Sequence, residues 1–472
     1  MRRRPTLPFV LVVLALGPQA LAGWQSLGRL PAPRVTPRGL EYRDGRVALD
    51  VQAVAEGVVR VRFVPRPAFG PDFSWSLAEP RPEPPPARVS RRDTSDVLEA
   101  GGLRVLVRRD TGRLEVQSAD GAALEADDPE RGLAWAGEAI LLSKRLRDDE
   151  HVYGLGQKAG PLDKRGWQLG GTSVAMWNSD TYRYDASTDP LYVSVPFYMV
   201  LRQGRAHGVF LDESHRSSFD VGRGWPGRLT VGVQGGELDT YVIDGPTPRQ
   251  VLERYTALTG RVPLPPLWAL GYQQSRYSYF PERRLRELAR ELRERRIPAD
   301  ALWLDIHALQ GFRPLTWDQE RFPDPAGLLA DLRAQGLRTV VIVDPHPKKQ
   351  PGEAVYETGL AGGHLVRRAD GTAVEGQVWP ARAEHDPGPS VFPDFARSAT
   401  RAWWGALQAP LLDAGVAGIW NDMNEPSVFD GPGGTLPLDA RHDADGRPAD
   451  HAEVHNVYGQ LMTRATFEGL RR

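Results

Sequence analysis

Three aspartates occupy the same kind of position in this sequence, and their side chains could do chemistry together. Asp305 and Asp344 come directly after short apolar runs, and Asp422 comes one residue after such a run; Trp303 and Trp420 lie two residues before Asp305 and Asp422. Carboxylates accept hydrogen bonds from hydroxyl groups, and flat aromatic faces pack against a sugar ring. A carboxylate also stabilises the positive charge that develops during glycoside hydrolysis. The pattern predicts an enzyme acting on a carbohydrate or on another polar small molecule.

Each of these aspartates also has a simpler interpretation. An aspartate after a strand is often a turn residue or a helix N-cap with no catalytic role. Because the same position recurs three times, coincidence is a weaker explanation than it would be for one aspartate alone. The residues by themselves leave the class of ligand open.

The elements that would hold these aspartates alternate between strand and helix after residue 263. The pattern predicts strands at 268–275, 301–306, 338–343 and 418–421, and helices at 282–296, 325–335, 396–414 and 451–472. Such repetition implies a parallel sheet, with a long excursion at 345–393. A TIM barrel would bring all three carboxylates to one mouth, although four of its eight βα units are expected in this chain. An open doubly wound sheet is the alternative, but no glycine-rich phosphate turn follows any strand, so nucleotide binding has no support.

The first half of the chain has a different pattern. Residues 23–260 contain short β-like segments separated by glycine and proline, with alternating apolar positions in 47–64, a predicted hairpin joining 103–107 to 113–116, and further strands at 192–201 and 208–211. Many short strands of this kind indicate an all-β sandwich. The expected organisation is therefore an N-terminal all-β sandwich at 23–260, followed at 261–472 by the first half of a (β/α)8 TIM barrel, truncated after the fourth βα unit.

Composition and charge exclude several classes of protein. The 472 residues carry 59 basic and 60 acidic side chains, for a formal net charge of -1, which gives no support to nucleic-acid binding. The chain contains no cysteine, so disulfides and thiolate metal sites are ruled out. The ten histidines show no metal-ligand spacing. We expect neither a metal nor a cofactor.

The N-terminus is typical of a secretory signal peptide at 1–22. Arginines at 2–4 precede an apolar run at 7–16, and Ala20-Leu21-Ala22 matches a small-x-small cleavage site. An uncleaved anchor or a buried strand is the alternative, but the apolar run is too short to span a bilayer. No later segment is apolar enough to cross a membrane. The sequence predicts a secreted or periplasmic protein that begins near Gly23, without stable membrane insertion.

The stretch Gly418–Asn421, continued by Asp422-Met423-Asn424-Glu425-Pro426-Ser427-Val428-Phe429, resembles the nucleophile signature of glycoside hydrolase family 31. The resemblance spans nearly the whole chain after residue 22. It also covers the segments 153–158, 162–166, 176–180, 189–192, 303–306, 312–313, 316–318, 321–325, 378–380 and 392–395.

The resemblance implies a role for each candidate site residue. Asp422 would be the nucleophile that forms a covalent glycosyl-enzyme, and Glu425 is grouped with it as a catalytic candidate, although a turn residue without chemical role is an equal alternative. Asp305 and Asp344 would bind hydroxyls of the non-reducing glucose, and Asp180 would reach toward the leaving sugar. The residues that would wall the subsite are Ile306, Ile342, Trp379, Trp420 and Met423. For Trp379, plain core packing is the alternative.

The wording of the signature implies a substrate. Trp420-Asn421-Asp422-Met423 resembles the α-glucosidase branch, whereas the α-xylosidase branch typically has a lysine-containing version. The expected activity is retaining, exo-acting hydrolysis of terminal α-linked glucose in α-glucosides or oligosaccharides. A non-catalytic glycan-binding protein on the same scaffold and an α-transglucosylase are the alternatives.

The resemblance also implies that an essential group lies elsewhere. The family's general acid/base, with its partner arginine and histidine, comes well after the nucleophile, and none of the three falls within residues 1–472. Retaining hydrolysis needs an acid about 5 Å from the nucleophile. We therefore expect this chain to be an inactive fragment of a longer enzyme.

Overall fold

The computed structural model describes residues 23–167, 173–379 and 388–471. The predicted signal peptide at 1–22 lies outside the described residues. The chain divides after Arg261 into two compact units. The first is built from antiparallel sheets and the second contains a parallel sheet with helices.

The strands of the first unit form three sheets, ordered β1-β11-β12-β18-β17-β14, β10-β9-β8-β7-β6 and β13-β15-β16-β19-β5-β4-β3-β2. Their bounds are β1 (Gln25–Ser26), β2 (Arg34–Thr36), β3 (Gly39–Arg43), β4 (Ala48–Ala55), β5 (Val58–Val64), β6 (Ala87–Arg91), β7 (Ser95–Ala100), β8 (Leu103–Arg108), β9 (Arg113–Ser118), β10 (Ala123–Ala126), β11 (Leu133–Ala136), β12 (Ala139–Arg145), β13 (His151–Gly154), β14 (Val174–Met176), β15 (Phe197–Arg202), β16 (Arg205–Leu211), β17 (Ser217–Val221), β18 (Arg228–Val233) and β19 (Leu238–Asp244).

The predicted hairpin at 103–116 is confirmed. β8 and β9 pair antiparallel from Leu103 opposite Ser118 to Arg108 opposite Arg113. Val105 and Val107 are buried on one face and alternate with half-buried residues, as expected for strands that cover a core on one side. The prediction of an all-β sandwich, which rested on many short strands separated by glycine and proline, is confirmed by the antiparallel sheets of this unit.

Two details of the first unit differ from the prediction. The strand expected at 192–201 begins only at Phe197, after Pro196, which has no N–H to donate to a sheet. The helix α1 (Pro248–Thr259) was not predicted. Its start carries a capping box in which the Thr247 hydroxyl accepts from the Gln250 N–H, so a recognisable signal was present.

The second unit contains a parallel sheet ordered β20-β21-β22-β25 and two small antiparallel pairs, β23 with β24 and β26 with β27. The strands are β20 (Gln273–Gln274), β21 (Ala301–Leu304), β22 (Arg338–Val343), β23 (Glu375–Gly376), β24 (Ser390–Val391), β25 (Gly418–Asn421), β26 (Arg441–Ala444) and β27 (Arg447–Asp450). The helices are α2 (Glu282–Glu294), α3 (Pro325–Ala334), α4 (Ala354–Ala361), α5 (Ser398–Ala406), α6 (Ala409–Asp413) and α7 (His451–Leu470). This succession of βα units is the first part of a TIM barrel, as predicted.

Three predictions in this unit need correction. The strand expected at 268–275 is a 3-10 helix at Leu267–Leu270 followed by the two-residue strand β20. The helix expected at 396–414 is interrupted near Gln408 and continues as α6, where Pro410 lies in the first turn and needs no hydrogen-bond donor. The excursion at 345–393 contains α4 and the short strands β23 and β24. In the first two cases the apolar pattern was present, but the chain turned within it.

Candidate active site

The register of the parallel sheet sets where the candidate carboxylates lie. Val343 at the end of β22 pairs with Asn421 at the end of β25, so the next residues, Asp344 and Asp422, leave adjacent strands together. Asp305 follows β21, which pairs with β22 on its other side. Adjacent strands lie about 4.8 Å apart. The structure therefore brings the three aspartates to one end of one sheet.

Asp305 is held by the first turn of a 3-10 helix. Its side chain is 9% exposed, and its Oδ1 accepts a hydrogen bond of 2.7 Å from the Ile306 N–H. Burial raises the pKa of this carboxyl, and the N–H bond opposes the rise. The N-cap interpretation thus describes a real contact. That contact also fixes the direction of the carboxylate.

Asp344 is the most deeply buried of the three, at 3% exposure. Burial, together with the negative charges of Asp422 and Asp305, raises its pKa well above the ordinary value. The Nε2 of His346 lies 3.4 Å from Asp344 Oδ2. Burial and the charge of Lys348 lower the pKa of His346 to about 3, so this imidazole is neutral and the contact is not an ion pair.

Asp422 is half-buried, and its backbone continues the β22 ladder through a 3.4 Å bond from its N–H to the Val343 carbonyl. The next residue, Met423, has φ 54°, in the left-handed region that disfavours most side chains. Such a conformation costs about 1 kcal/mol or more and is common at functional sites. The chain therefore turns sharply directly after Asp422, at the carboxyl end of β25.

Glu425 is close enough to Asp344 to affect the pKa of that carboxyl. It is 7% exposed, and its Oε2 accepts a 2.9 Å hydrogen bond from the Ser427 hydroxyl. Its negative charge contributes to the raised pKa of Asp344. The side chain is thus both part of its own loop and part of the electrostatic environment of the aspartates.

Apolar residues support the strand ends from one side. Ile306 and Ile342 form a buried cluster with Leu309, against which Trp420 packs. The Trp420 ring lies 5.7 Å from the ring of Trp303, edge to face. Two of the predicted wall residues, Ile306 and Ile342, are therefore buried in this apolar cluster, at 4% and 2% exposure.

Trp379 is exposed, so core packing is the wrong interpretation for it. Its side chain is 47% exposed, and its ring lies 6.4 Å from Tyr277 and 6.2 Å from Phe429. Tyr277 in turn packs at 4.9 Å against His307, two residues after Asp305. This aromatic group was missed in the sequence, where the aromatic run at 277–280 was the available signal.

Asp180 lies in the first unit, in the loop that follows β14, and is half-buried. Its role toward a leaving sugar stays a prediction.

Two further observations concern metal ligands and apolar helices. Within residues 23–167, 173–379 and 388–471, no group of three or more histidine, aspartate or glutamate side chains has the arrangement of a metal site. Over the same ranges, no helix has both the length and the apolar character that a membrane span requires.

Comparison with known proteins extends these observations over the whole chain. Residues 48–220 match the glycosyl hydrolase 31 N-terminal galactose mutarotase-like domain, and residues 262–472 match the glycosyl hydrolases family 31 TIM-barrel domain. An alpha-glucosidase 2 of Bacillus thermoamyloliquefaciens is 40% identical over 88% of this chain and 52% of its own length. An alpha-glucosidase of Saccharolobus solfataricus is 33% identical over 71% of this chain and 49% of its own length.

A solved structure gives the same result. The GH31 dextranase of Flavobacterium johnsoniae, complexed with glucose, superimposes with a TM-score of 0.85 at 28% identity, over 94% of this chain and 53% of the dextranase. This chain spans about half the length of the relatives it matches. Two domain models in the family's own order, relatives of 33% and 40% identity and a shared fold together show that the chain belongs to glycoside hydrolase family 31.

Proposed function

We propose that this chain belongs to a retaining, exo-acting α-glucosidase in which Asp422 attacks the anomeric carbon of a terminal α-linked glucose. The observation that carries the proposal is the placement of Asp344 and Asp422 at the ends of two paired parallel strands, with Asp305 after the next strand. One sugar ring bound at the carboxyl ends of these strands would face all three carboxylates.

The chemistry uses the crowding of negative charge. When the bond from the anomeric carbon to the leaving oxygen breaks, the sugar develops positive charge, which nearby carboxylates stabilise. Asp422 then forms an ester with the anomeric carbon, and the leaving oxygen takes a proton from a general acid. Water then attacks the anomeric carbon from the face that the leaving oxygen occupied, opposite Asp422; the former general acid takes the water proton, the bond to Asp422 breaks, and two inversions retain the configuration. Asp305 and Asp344 would accept hydrogen bonds from ring hydroxyls.

The choice of α-linked glucose has two supports. Relatives of 33% and 40% identity are named alpha-glucosidases, and Trp420-Asn421-Asp422-Met423 has the form of that branch. The exposed ring of Trp379 offers an apolar face for a sugar.

The general acid/base belongs to a later part of the enzyme in this proposal, after residue 472. Residues 1–472 would then hold the nucleophile and the hydroxyl-binding carboxylates. We expect this chain alone to react with activated glucosides, whose leaving groups need little protonation, and not to hydrolyse ordinary α-glucosides at a useful rate.

An activated 5-fluoro-α-glucosyl fluoride tests the proposal. Mass spectrometry of the reacted chain should show one added glycosyl group on the peptide that contains Asp422. The Asp422→Asn variant should stay unlabelled, whereas Asp439→Asn, at an exposed aspartate on the same loop region, should be labelled as the wild type is. Labelling of another residue, or of none, would overturn the assignment of Asp422.

The same experiment separates the two alternatives. A non-catalytic glycan-binding protein would bind the glucoside, as measured by calorimetry, without any covalent product. An α-transglucosylase would be labelled at Asp422 and, when supplemented with the missing part of the enzyme, would transfer the sugar to an added acceptor instead of water.

We also propose that the protein is exported after cleavage near Gly23. The support is the three-part pattern of residues 1–22. N-terminal sequencing of the protein recovered from the periplasm or medium of an expressing bacterium should begin near Gly23; retention of Met1 in a cytoplasmic product would contradict export.

A further inference from the structure

Three buried histidines of the second unit are joined to one aspartate by a continuous series of hydrogen bonds. His442, on β26, lies with its Nδ1 2.7 Å from Asp394 Oδ1 and with its Nε2 3.2 Å from the Nδ1 of His451. The Nε2 of His451 lies 3.2 Å from the Nδ1 of His455. The Thr435 hydroxyl lies 3.2 Å and 3.1 Å from these last two nitrogens. We call these five side chains the histidine network.

The contacts of the histidine network are complete when every imidazole is neutral. A neutral imidazole has one nitrogen that donates and one that accepts, and an ionised carboxylate only accepts. His442 therefore donates from Nδ1 to Asp394 and accepts at Nε2 from the Nδ1–H of His451. The Nε2 of His451 is then left to accept from the Thr435 hydroxyl or from His455. One proton on each ring satisfies the whole series.

His451 is badly placed to take a second proton. Its ring is fully buried, and its contacts go to two imidazoles and a hydroxyl, because Asp394 contacts His442 instead. His451 is also the first residue of α7, where the helix dipole is positive. A buried cation without a carboxylate partner is costly. Burial, together with His455 and His442, accordingly lowers the pKa of His451 well below its ordinary value.

The charged groups on the surrounding elements have partners of their own. They form the pairs Asp443 with Arg397 at 3.9 Å, Arg401 with Asp445 at 3.8 Å, and Arg447 with Glu453 at 2.6 Å. Asp450, the exposed N-cap of α7, accepts a 3.0 Å bond from the Glu453 N–H. The Tyr458 hydroxyl donates a 2.9 Å bond to the Pro393 carbonyl. None of these groups contacts the His451 ring through a hydrogen bond.

The helix that begins at His451 also supports the chain on both sides of Asp422. The Thr466 hydroxyl, on α7, donates a 3.0 Å hydrogen bond to Asn421 Oδ1. The backbone after Asp422 approaches α7 at Gly459 so closely that a Cβ there would lie 2.9 Å from the Asn424 carbonyl oxygen. A movement of α7 therefore reaches both residues that flank the nucleophile segment.

We propose that the histidine network is an acid-sensitive latch. While His451 is neutral, it holds the first turns of α7 against β26 and Asp394; when His451 takes up a proton, it releases them. Acid then loosens α7 and, with it, the support of Asp422, and a return to neutral pH restores both. The latch goes beyond the proposed function, and its effect on chemistry at Asp422 rests on that function.

The sign of the pH dependence follows from the position of His451. When α7 is open, this imidazole has the ordinary pKa of about 6.5, whereas the closed form binds the proton only at much lower pH. Closure is therefore fully favoured above about pH 6.5 and weakens as pH falls. One proton changes the opening equilibrium by up to roughly tenfold for each pH unit below that value.

Amide hydrogen exchange of the whole chain between pH 7 and pH 5, corrected for intrinsic exchange rates, tests the latch. In the wild type, protection of the first half of α7 should fall by roughly tenfold or more relative to α3 of the same unit. In His451→Gln, which keeps a neutral donor and acceptor, it should stay constant over this range. His151→Gln is the control, because His151 is 55% exposed and pairs with Asp163 at 2.7 Å in the first unit. That variant should behave as the wild type does.

Wild-type protection that stays constant from pH 7 to pH 5 overturns the latch without any variant. An equal fall in His451→Gln also overturns it, because another group is then responsible. If His451→Gln does not fold, nitrogen NMR of histidine-labelled wild type decides. A His451 ring that stays neutral until α7 opens supports the latch, and a charged His451 ring in a helix that is still protected contradicts it.

Labelling at Asp422 connects the latch to chemistry. Between pH 7 and pH 5 the labelling rate of the wild type should fall roughly tenfold more than that of His451→Gln, and it should recover at pH 7. Equal losses in the two proteins would contradict the effect of α7 on Asp422. A wild type that is not labelled at any pH contradicts the proposed function, while hydrogen exchange still decides on the latch.

Discussion

The two units of the molecule each bury a cluster of charge, and they balance it differently. In the first unit, the guanidinium of Arg60 is 5% exposed and donates two hydrogen bonds to Asp239, of 2.8 Å and 2.5 Å. Asp72 approaches the same guanidinium at 2.9 Å. In the second unit, Asp344 experiences three other carboxylates against the positive charge of Lys348.

The electrostatic consequence differs accordingly. Burial alone would lower the pKa of Arg60, but its bonds to Asp239 outweigh burial and raise that pKa. At the strand ends, burial and like charges act in the same direction and raise the pKa of Asp344. In the first cluster a guanidinium bonds the buried carboxylate directly, although burial still raises the pKa of Asp239. The second keeps an excess of negative charge, as expected where a positive charge must develop during a reaction.

The largest expected effect is on chemistry at Asp422. Replacing Asp422 with Asn removes the attacking carboxylate while keeping its size, so labelling and any turnover of activated glucosides should fall by roughly a thousandfold or more. Steady-state rates with the activated glucoside measure the loss. Thermal melting should change little, because the carboxylate is half-buried and lies among other negative charges. If Asp422→Asn unfolds instead, the Asp422 carboxylate stabilises the fold, as the pair of Arg60 and Asp239 does.

In the cluster around Arg60, a substitution should change the stability of the protein and not its chemistry. Arg60→Met leaves Asp239 buried without its partner and should destabilise the protein by about 3–5 kcal/mol. Urea unfolding monitored by tryptophan fluorescence measures this change. The double variant Arg60→Met with Asp239→Leu should recover much of the loss, because the buried carboxylate is then gone and the remaining partner, Asp72, is 52% exposed to water. A double variant as unstable as Arg60→Met alone would show that packing around the stem of Arg60, and not charge, is responsible.

Much of this contrast lies beyond what the sequence could predict. β22 and β25 begin and end where the pattern placed them: β22 is a buried apolar run, β25 is half-buried along its length, and an aspartate directly follows each strand. The pairing of Val343 with Asn421, which sets Asp344 beside Asp422, depends on tertiary register and does not follow from either strand alone.

The sequence also does not show which charged side chains are buried in the folded protein. Lys348 and Lys349 are identical neighbours in the sequence, yet one is buried and the other exposed. Lys348 lies an even number of residues after Asp344, which was the available clue that the two side chains lie on one side of the chain. The spacing does not indicate which side of the chain faces the interior. The aromatic group around Trp379 likewise assembles from distant loops, so only the local run at 277–280 could have indicated it.

A smaller effect is expected at Asp344, where stability and activity should separate. Asp344→Asn relieves repulsion with Asp422 and Asp305, so at neutral pH it should stabilise the fold by about 1 kcal/mol while slowing labelling at Asp422. Chemical denaturation and labelling rates on the same samples measure the two effects. A variant that loses stability would mean that Asp344 belongs with the paired charges of the first unit.

The same variant gives a pH dependence whose sign follows from the raised pKa. The folded protein holds the Asp344 proton more tightly than the unfolded chain does, so the wild type is favoured below about pH 4 and loses that stability as pH rises through the folded-state pKa. Asp344→Asn has no such group. The difference in free energy of unfolding between variant and wild type should therefore grow from acid to neutral pH, and a constant difference would contradict it.

The smallest expected effect is at Trp379, which tests whether exposed aromatic surface belongs to the same site as the carboxylates. Trp379→Ala removes an apolar face that is 47% exposed, so stability should hardly change, while the apparent KM for an activated glucoside should rise roughly threefold, or about 0.6 kcal/mol. Trp225→Ala is a suitable control, because Trp225 lies in the first unit beneath the guanidinium of Arg131, at 4.0 Å from its ring centroid. That variant should leave KM unchanged. An equal rise in KM for both variants would show that the loss comes from general loosening of the protein, and the carboxylates would then bind the sugar without help from Trp379.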